Sequence, residues 1–231
     1  MRLSLTEAYT QLGLSVARPG KVVAIGLNYL DHVRETGMEP PSHPLVFAKF
    51  PSSVVGHEDD IVVDRALTER VDWEVELAAI IGRPATRVPD RQALDHVFGY
   101  TVGNDVSARD VQFADVQWVR GKSFDTFCPL GPAVVTADEI GDPQALGLRT
   151  RVNGEVVQDS NTSEMVFNVA ELVSFCSRSF TLEPGDVILT GTPWGCGEFM
   201  SPRRSLQDGD VVECEIDGIG VLRNRVQDVE A

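Results

Sequence analysis

The chain of 231 residues carries 20 Lys plus Arg against 35 Asp plus Glu, a formal net charge of −15. Its hydrophobic share of 42% is that of a globular protein and too high for a disordered one. The acidity disfavours nucleic acid and anionic membrane surfaces as partners, because the densest basic run is only Arg203–Arg204.

The length fits one large domain or two small ones, and the division expected is a single domain over residues 21–231 preceded by an N-terminal arm over 1–20. Apolar runs such as Val22–Leu27 and Leu77–Ile81 fall far below the ~20 residues of a spanning helix, so no membrane segment is expected. The opening Met-Arg-Leu-Ser-Leu-Thr-Glu lacks the apolar core of a signal peptide. Cys128, Cys176, Cys196 and Cys214 form no CxxC pair, which argues against zinc and predicts reduced thiols in a cytoplasmic protein.

In chain order, Lys21–Leu27 reads as a buried strand and Tyr29–Thr36 as a short helix, with Asn28 as N-cap and Gly37 as its stop. Leu45–Lys49 and Ile61–Val63 read as strands, and Asp72–Gly82 as one strand that alternates and then becomes wholly apolar. Gln92–Val97 is a helical turn, and Phe98–Asn104 and Pro132–Thr136 are strands. Leu148–Val152 and Glu155–Gln158 flank the hairpin signal Asn153-Gly154. Asn168–Ser179 is the strongest amphipathic helix, with Val169, Leu172, Val173 and Cys176 on one stripe. Asp186–Thr190 follows as a strand, and Val211–Ile216 and Gly220–Val226 flank Asp217-Gly218. The expected class is mainly β (α+β), with a few peripheral helices.

Three segments carry chemistry. Strand alternation puts Asp72, Glu74 and Glu76 on one face, where unpaired burial would be costly. A hard cation resolves that conflict, and oxygen ligands suit Mg²⁺, Mn²⁺ or Ca²⁺; a solvated face paired with Arg or Lys is the alternative. Asp105, at the end of a strand, is placed to add a third carboxylate, and a helical turn from Ser107 would align Arg109 with Gln112. His32 and Glu35 stand at i, i+3 on the first helix, the spacing for a carboxylate that orients an imidazole base. That helix ends before a proline-rich stretch, as a lid over a site would. Lys122 lies beside Gly121, and Thr192 sits in a glycine-rich loop that is not a P-loop.

Taken in order, GLNYxDHxxE, FAKFPSS, DWEVEL, GNDVSARDVQ, GKSFDTFCPLGP, NGEVVQ and LTGTPWG resemble the fumarylacetoacetate hydrolase family from about Gly26 to the C-terminus. The likeness is to its short single-domain branch of acylpyruvate hydrolases, oxaloacetate decarboxylases and diene-dioate isomerases. It implies a mixed β-sandwich roll, usually a homodimer, with Glu74, Glu76 and Asp105 holding Mg²⁺ or Mn²⁺ (Ca²⁺ as a stand-in in crystals). It further implies His32 and Glu35 as a lid dyad, Arg109, Gln112 and Lys122 as active-site residues, and Lys49 and Thr192 as holders of the substrate carboxylate. The expected activity is hydrolysis of a C–C bond in a 2,4-dioxo acid through a metal-chelated enolate, with His32 activating water. Isomerisation or decarboxylation of a 2-oxo diacid of the oxaloacetate or 2-hydroxyhepta-2,4-diene-1,7-dioate type is the alternative, and a non-catalytic keto-acid-binding protein a third.

Overall fold

Short β-branched runs separated by Gly and Asn-Gly turns leave the chain little choice but to stack sheets, and the computed structural model, which describes residues 1–14 and 18–229, does so. In chain order the elements are β1 (Arg2–Leu3), α1 (Leu5–Gln11), β2 (Val22–Gly26), α2 (Leu30–Thr36), β3 (Leu45–Lys49), β4 (Val54–Val55), β5 (Ile61–Val63), β6 (Val71–Asp72) and β7 (Val75–Ile81). Then come α3 (Asp90–Ala93), β8 (Val97–Asn104), β9 (Ser107–Ala108), α4 (Arg109–Ala114), α5 (Val119–Lys122) and β10 (Cys128–Thr136). The chain closes with β11 (Gly147–Val152), β12 (Glu155–Asn161), α6 (Val169–Ser179), β13 (Val187–Leu189), β14 (Val211–Ile216) and β15 (Gly220–Asp228).

The larger sheet runs β1-β10-β8-β7-β13-β2-β3, with β4 beside β10; a second runs β12-β11-β14-β15-β5; β6 and β9 form a small third. The mainly β class with peripheral helices is thus the observed one. The apolar run in β7 is explained by burial on both faces. Val75, Leu77, Ala79 and Ile81 join the cluster that includes Leu148, Val152 and Cys214 of the second sheet. Ala78 and Ile80 pack with Ala8 of α1 and with Leu130. The first residues belong to the same body, since β1 pairs antiparallel with β10 and the buried Tyr9 hydroxyl donates to Gly185 O at 2.6 Å.

Two expectations need correction. Asp72–Gly82 is not one strand: β6 pairs with β9, and the chain breaks at Trp73–Glu74 before β7 begins. The cause is Asp72, whose carboxylate accepts from its own neighbour Trp73 N–H and from Gly197 N–H, contacts that turn the backbone away from a continuous ladder. Helix α2 starts at Leu30, and Asn28 does not cap it. The Asn28 amide instead donates to Phe167 O and Thr190 O and accepts from Phe167 N–H, tying β2 to two distant segments. By contrast α6 has the expected cap, with Asn168 and Glu171 forming a reciprocal capping box. All four cysteines are free and buried.

Candidate active site

The antiparallel register of β7 on β8 sets Val75 opposite Asn104 and Glu76 opposite Gly103. The start of one strand thereby meets the end of the other, and Asp105 N–H donates to Glu74 O at 2.9 Å. This brings together the buried carboxylates of Glu74, Glu76 and Asp105, each offering an oxygen within 4.8 Å of the others. Asp72, expected on the same face, stands apart. It accepts from Arg109 Nε at 2.8 Å and from the amides of Gly197 and Glu198, so it anchors Arg109 from behind.

Three buried cations surround the acidic group. Lys122 Nζ bridges Glu74 and Asp105 at 2.7 and 2.8 Å. Arg109 Nη2 reaches Glu74 at 2.7 Å and Asp72 at 2.8 Å. Lys49 Nζ holds Asp105 at 2.5 Å and donates to Val106 O. Lys49 therefore sits behind Asp105 and does not line the cavity, contrary to the substrate-carboxylate position expected for it.

The fields differ from one carboxylate to the next. Burial raises the Glu74 carboxyl, but Lys122 and Arg109 outweigh it and bring it down to about 2. Glu76 is pushed well above the usual range, first by burial and then by the neighbouring Asp105 and Glu74. Its one hydrogen-bond donor among the described residues is Gly191 N–H at 2.7 Å. That donor depends on glycine: φ is +97°, and a Cβ there would lie 2.8 Å from Asn28 Cβ. Four buried carboxylates, counting Asp72, face three cations, and a divalent ion at Glu74, Glu76 and Asp105 suits both that imbalance and their hard oxygen donors.

These groups form one end of a cavity of about 170 Å³, lined also by His32, Gln112 and Thr192. Arg109 Nη1 donates to Gln112 Oε1 at 3.0 Å, which leaves the Gln112 amide nitrogen as its remaining donor. Helix α4 begins at Arg109 rather than Ser107, yet the pair shares a face as expected. Thr192 Oγ1 accepts from Gln158 Nε2 at 3.0 Å, which leaves its own O–H free to donate. On α2, His32 Nδ1 lies 2.8 Å from Glu35 Oε2. A carboxylate only accepts, so Nδ1 carries the proton and Nε2 is the free nitrogen. Helix α2 is docked: Asp31 accepts from the Ser160 hydroxyl, and Glu35 Oε1 accepts from Gly195 N–H at 2.8 Å.

The structure thus gathers nine of the ten expected residues at or beside one cavity, with Lys49 behind it. Sequence reasoning missed the anchoring role of Asp72, the Gln158 support of Thr192, and the aromatic residues Trp118 and Phe199. It also missed that Cys196 lies with His32 and Glu35, their ligand atoms within 4.8 Å. Nothing in local spacing signals that grouping, because Cys196 arrives from a different loop.

Residues 21–227 match the fumarylacetoacetate (FAA) hydrolase C-terminal family. The chain belongs to that enzyme family. It is 49% identical over 224 residues to the mitochondrial oxaloacetate tautomerase of Xenopus laevis, covering 96% of this chain and 70% of that protein. A fumarylacetoacetate hydrolase from Exiguobacterium antarcticum superposes with a TM-score of 0.86 at 46% identity, over 92% of this chain and 76% of that one. A 5-carboxymethyl-2-hydroxymuconate delta-isomerase from Mycobacterium smegmatis gives a TM-score of 0.82 at 45% identity, over 92% and 80%. This family member has, among its described residues, no helix long and apolar enough to cross a membrane. The tautomerase relative from Xenopus laevis is named as mitochondrial, which does not support the cytoplasmic location expected from the cysteines.

Proposed function

We propose that this protein catalyses keto–enol tautomerisation of a 2-oxo diacid of the oxaloacetate type. The observation that carries the reading is the His32–Glu35 pair, a proton acceptor held in the wall of a cavity that also carries the positive donors Arg109 and Lys122. Relatives named as oxaloacetate tautomerases and a structure named as an isomerase favour this over C–C hydrolysis, the activity first expected.

Glu74, Glu76 and Asp105 would hold Mg²⁺ or Mn²⁺, which would supply Lewis-acid charge to a bound 2-oxo acid. His32 Nε2 takes the C3 proton and returns it, either to C3 or to the 2-oxygen, so the reaction is neutral in protons and electrons. Glu35 holds the ring in its tautomer and offsets the charge of the imidazolium. Lys122, Arg109 and the Gln112 amide face the oxygen on which charge develops, and the Thr192 hydroxyl donates to a carboxylate. Asp72 keeps Arg109 from swinging out of line.

His32→Ala tests the assignment. Its rate of enol–keto conversion is expected to fall by about 10²-fold or more, with Mg²⁺ binding intact; turnover at the parental rate refutes the role.

We further infer that residues 21–231 are the catalytic unit and that two copies associate along the open edge of β3. Exposed Phe50 and the fully exposed Val116 support that placement. Light scattering of the purified protein checks it, and a monomer mass would end this part of the reading.

A further inference from the structure

The cavity changes character along its length. Among the described residues that line it, the only cations are Arg109, Lys122 and, when protonated, His32. Arg109 and Lys122 both sit on Glu74. Beyond them the wall is mostly apolar: Phe47 and Phe199 next to the cations, then Leu27, Met38, Phe113 and Trp118, with Thr36 as the polar exception, its hydroxyl donating to Val33 O at 3.1 Å. The progression can be followed ring by ring. Lys122 Nζ is 5.4 Å from the Phe47 ring, and Phe47 meets Trp118 edge-on at 5.4 Å. Trp118 in turn rests on Gly26, where a Cβ would come within 2.6 Å of the indole. On the other side Phe199 sits edge-on to His32 at 5.4 Å and 6.0 Å from the Arg109 guanidinium. Met38 and Phe113 are 56% and 54% exposed, which marks them as the mouth.

Basic residues nearby do not change this. Arg70 lies 5.8 Å from the Phe113 ring but is paired with Glu198 and does not line the cavity. Arg34 is paired with Glu164, and Arg120 with Asp115.

We propose that the outer half of this cavity is an apolar tail subsite walled by Trp118, which sets substrate choice by the position of the second carboxylate. A carboxylate adjacent to the reacting carbon, as in oxaloacetate, reaches Arg109, Gln112 and Lys122. A carboxylate several methylenes farther out must shed its water among aromatic rings and a thioether with no cation to receive it. An apolar chain end of the same length meets no such penalty. The subsite therefore separates the two substrate types of the related proteins, favouring the compact diacid over a long diene-dioate. The proposal rests on the cavity being a 2-oxo-acid site.

Two six-carbon acids isolate the effect: 2-oxohexanoate, ending in a methyl group, and 2-oxoadipate, ending in a carboxylate. Enzyme-catalysed exchange of their C3 protons in D₂O, followed by NMR, compares them without requiring bond cleavage. The wild-type protein is expected to favour 2-oxohexanoate by about tenfold in kcat/KM. Met38→Arg and Phe113→Arg place a cation at the exposed mouth, and each should move that ratio about tenfold towards the diacid. Equal handling of the two acids, a preference for 2-oxoadipate, or a ratio that neither arginine variant moves overturns the proposal. If neither these acids nor oxaloacetate exchange faster than without enzyme, the tautomerase reading fails. Calorimetric binding of the same two acids with Mg²⁺ present then judges the tail subsite separately, by the same expected ratio.

Discussion

The Glu35 carboxylate links the imidazole of His32 to the backbone of Gly195: one oxygen lies 2.8 Å from His32 Nδ1, the other accepts Gly195 N–H at 2.8 Å. The helix that carries His32 and the glycine-rich loop that carries Thr192 are thus held by one side chain. Glu35→Gln keeps an acceptor for only one of these partners and removes the charge that balances an imidazolium. The expected result is a fall in kcat of roughly tenfold or more with little change in KM. Steady-state kinetics alongside a melting curve checks this; an unchanged kcat at unchanged stability would mean that the pair is only structural.

Glu76 is the member of the acidic trio that burial, Asp105 and Glu74 most strongly keep from ionising. A bound divalent ion would relieve that, so Mg²⁺ or Mn²⁺ should raise the melting temperature of the wild-type protein. In Glu76→Gln the rise is expected to be lost, while the metal-free protein melts no lower than wild type because one unpaired buried carboxyl is gone. Scanning fluorimetry with chelator and with added ion reads both effects. Equal ion-induced shifts in the two proteins would remove Glu76 from the ligand set.

Gly191→Ala introduces two separate faults, a side chain at φ +97° and a contact of 2.8 Å to Asn28 Cβ. Strain of this kind costs on the order of 1–3 kcal/mol, and the shift needed to relieve it also moves the N–H that serves Glu76. Urea denaturation should show the loss, accompanied by weaker Mg²⁺ binding. A variant as stable as wild type would show that the loop yields easily.

Stability should also fall at high pH. Burial pushes the thiols of Cys176 and Cys214 up to about 12, against an ordinary value of 9.0. The unfolded chain ionises them first, so their neutral form stabilises the fold fully below pH 9, and that contribution is lost as pH rises from about 9 towards 12. Urea midpoints measured from pH 7 to 10.5 should decline over the upper part of the range. The decline should be shallower in a Cys176→Ala, Cys214→Val double variant; identical slopes would assign it to other groups.

Much of this molecule could be read from local pattern. Asn153-Gly154 and Asp217-Gly218 set their hairpins because few other residues tolerate those turns. Asn168 with Glu171 set the start of α6. The i, i+3 spacings of His32 with Glu35 and of Arg109 with Gln112 survive as contacts of 2.8 and 3.0 Å, since a single helical turn guarantees such proximity. Local pattern failed where a side chain had a better partner far along the chain. Asn28 left the helix start for Phe167 and Thr190, and Asp72 broke a strand to reach Gly197, Glu198 and Arg109.

By itself, then, the sequence determined the mainly β class, the hairpins, and which acids, bases and imidazole are available for chemistry, because turn geometry and residue type are local properties. Only the tertiary structure decided how they are shared out. The family resemblance had named Glu74, Glu76 and Asp105, but it is the register of β7 on β8 that brings them together, and the packing around it sends Asp72 to Arg109 and Lys49 behind Asp105. The same packing set Trp118 against Gly26. Contacts between residues tens of positions apart depend on how whole sheets stack, and no short stretch of sequence encodes that.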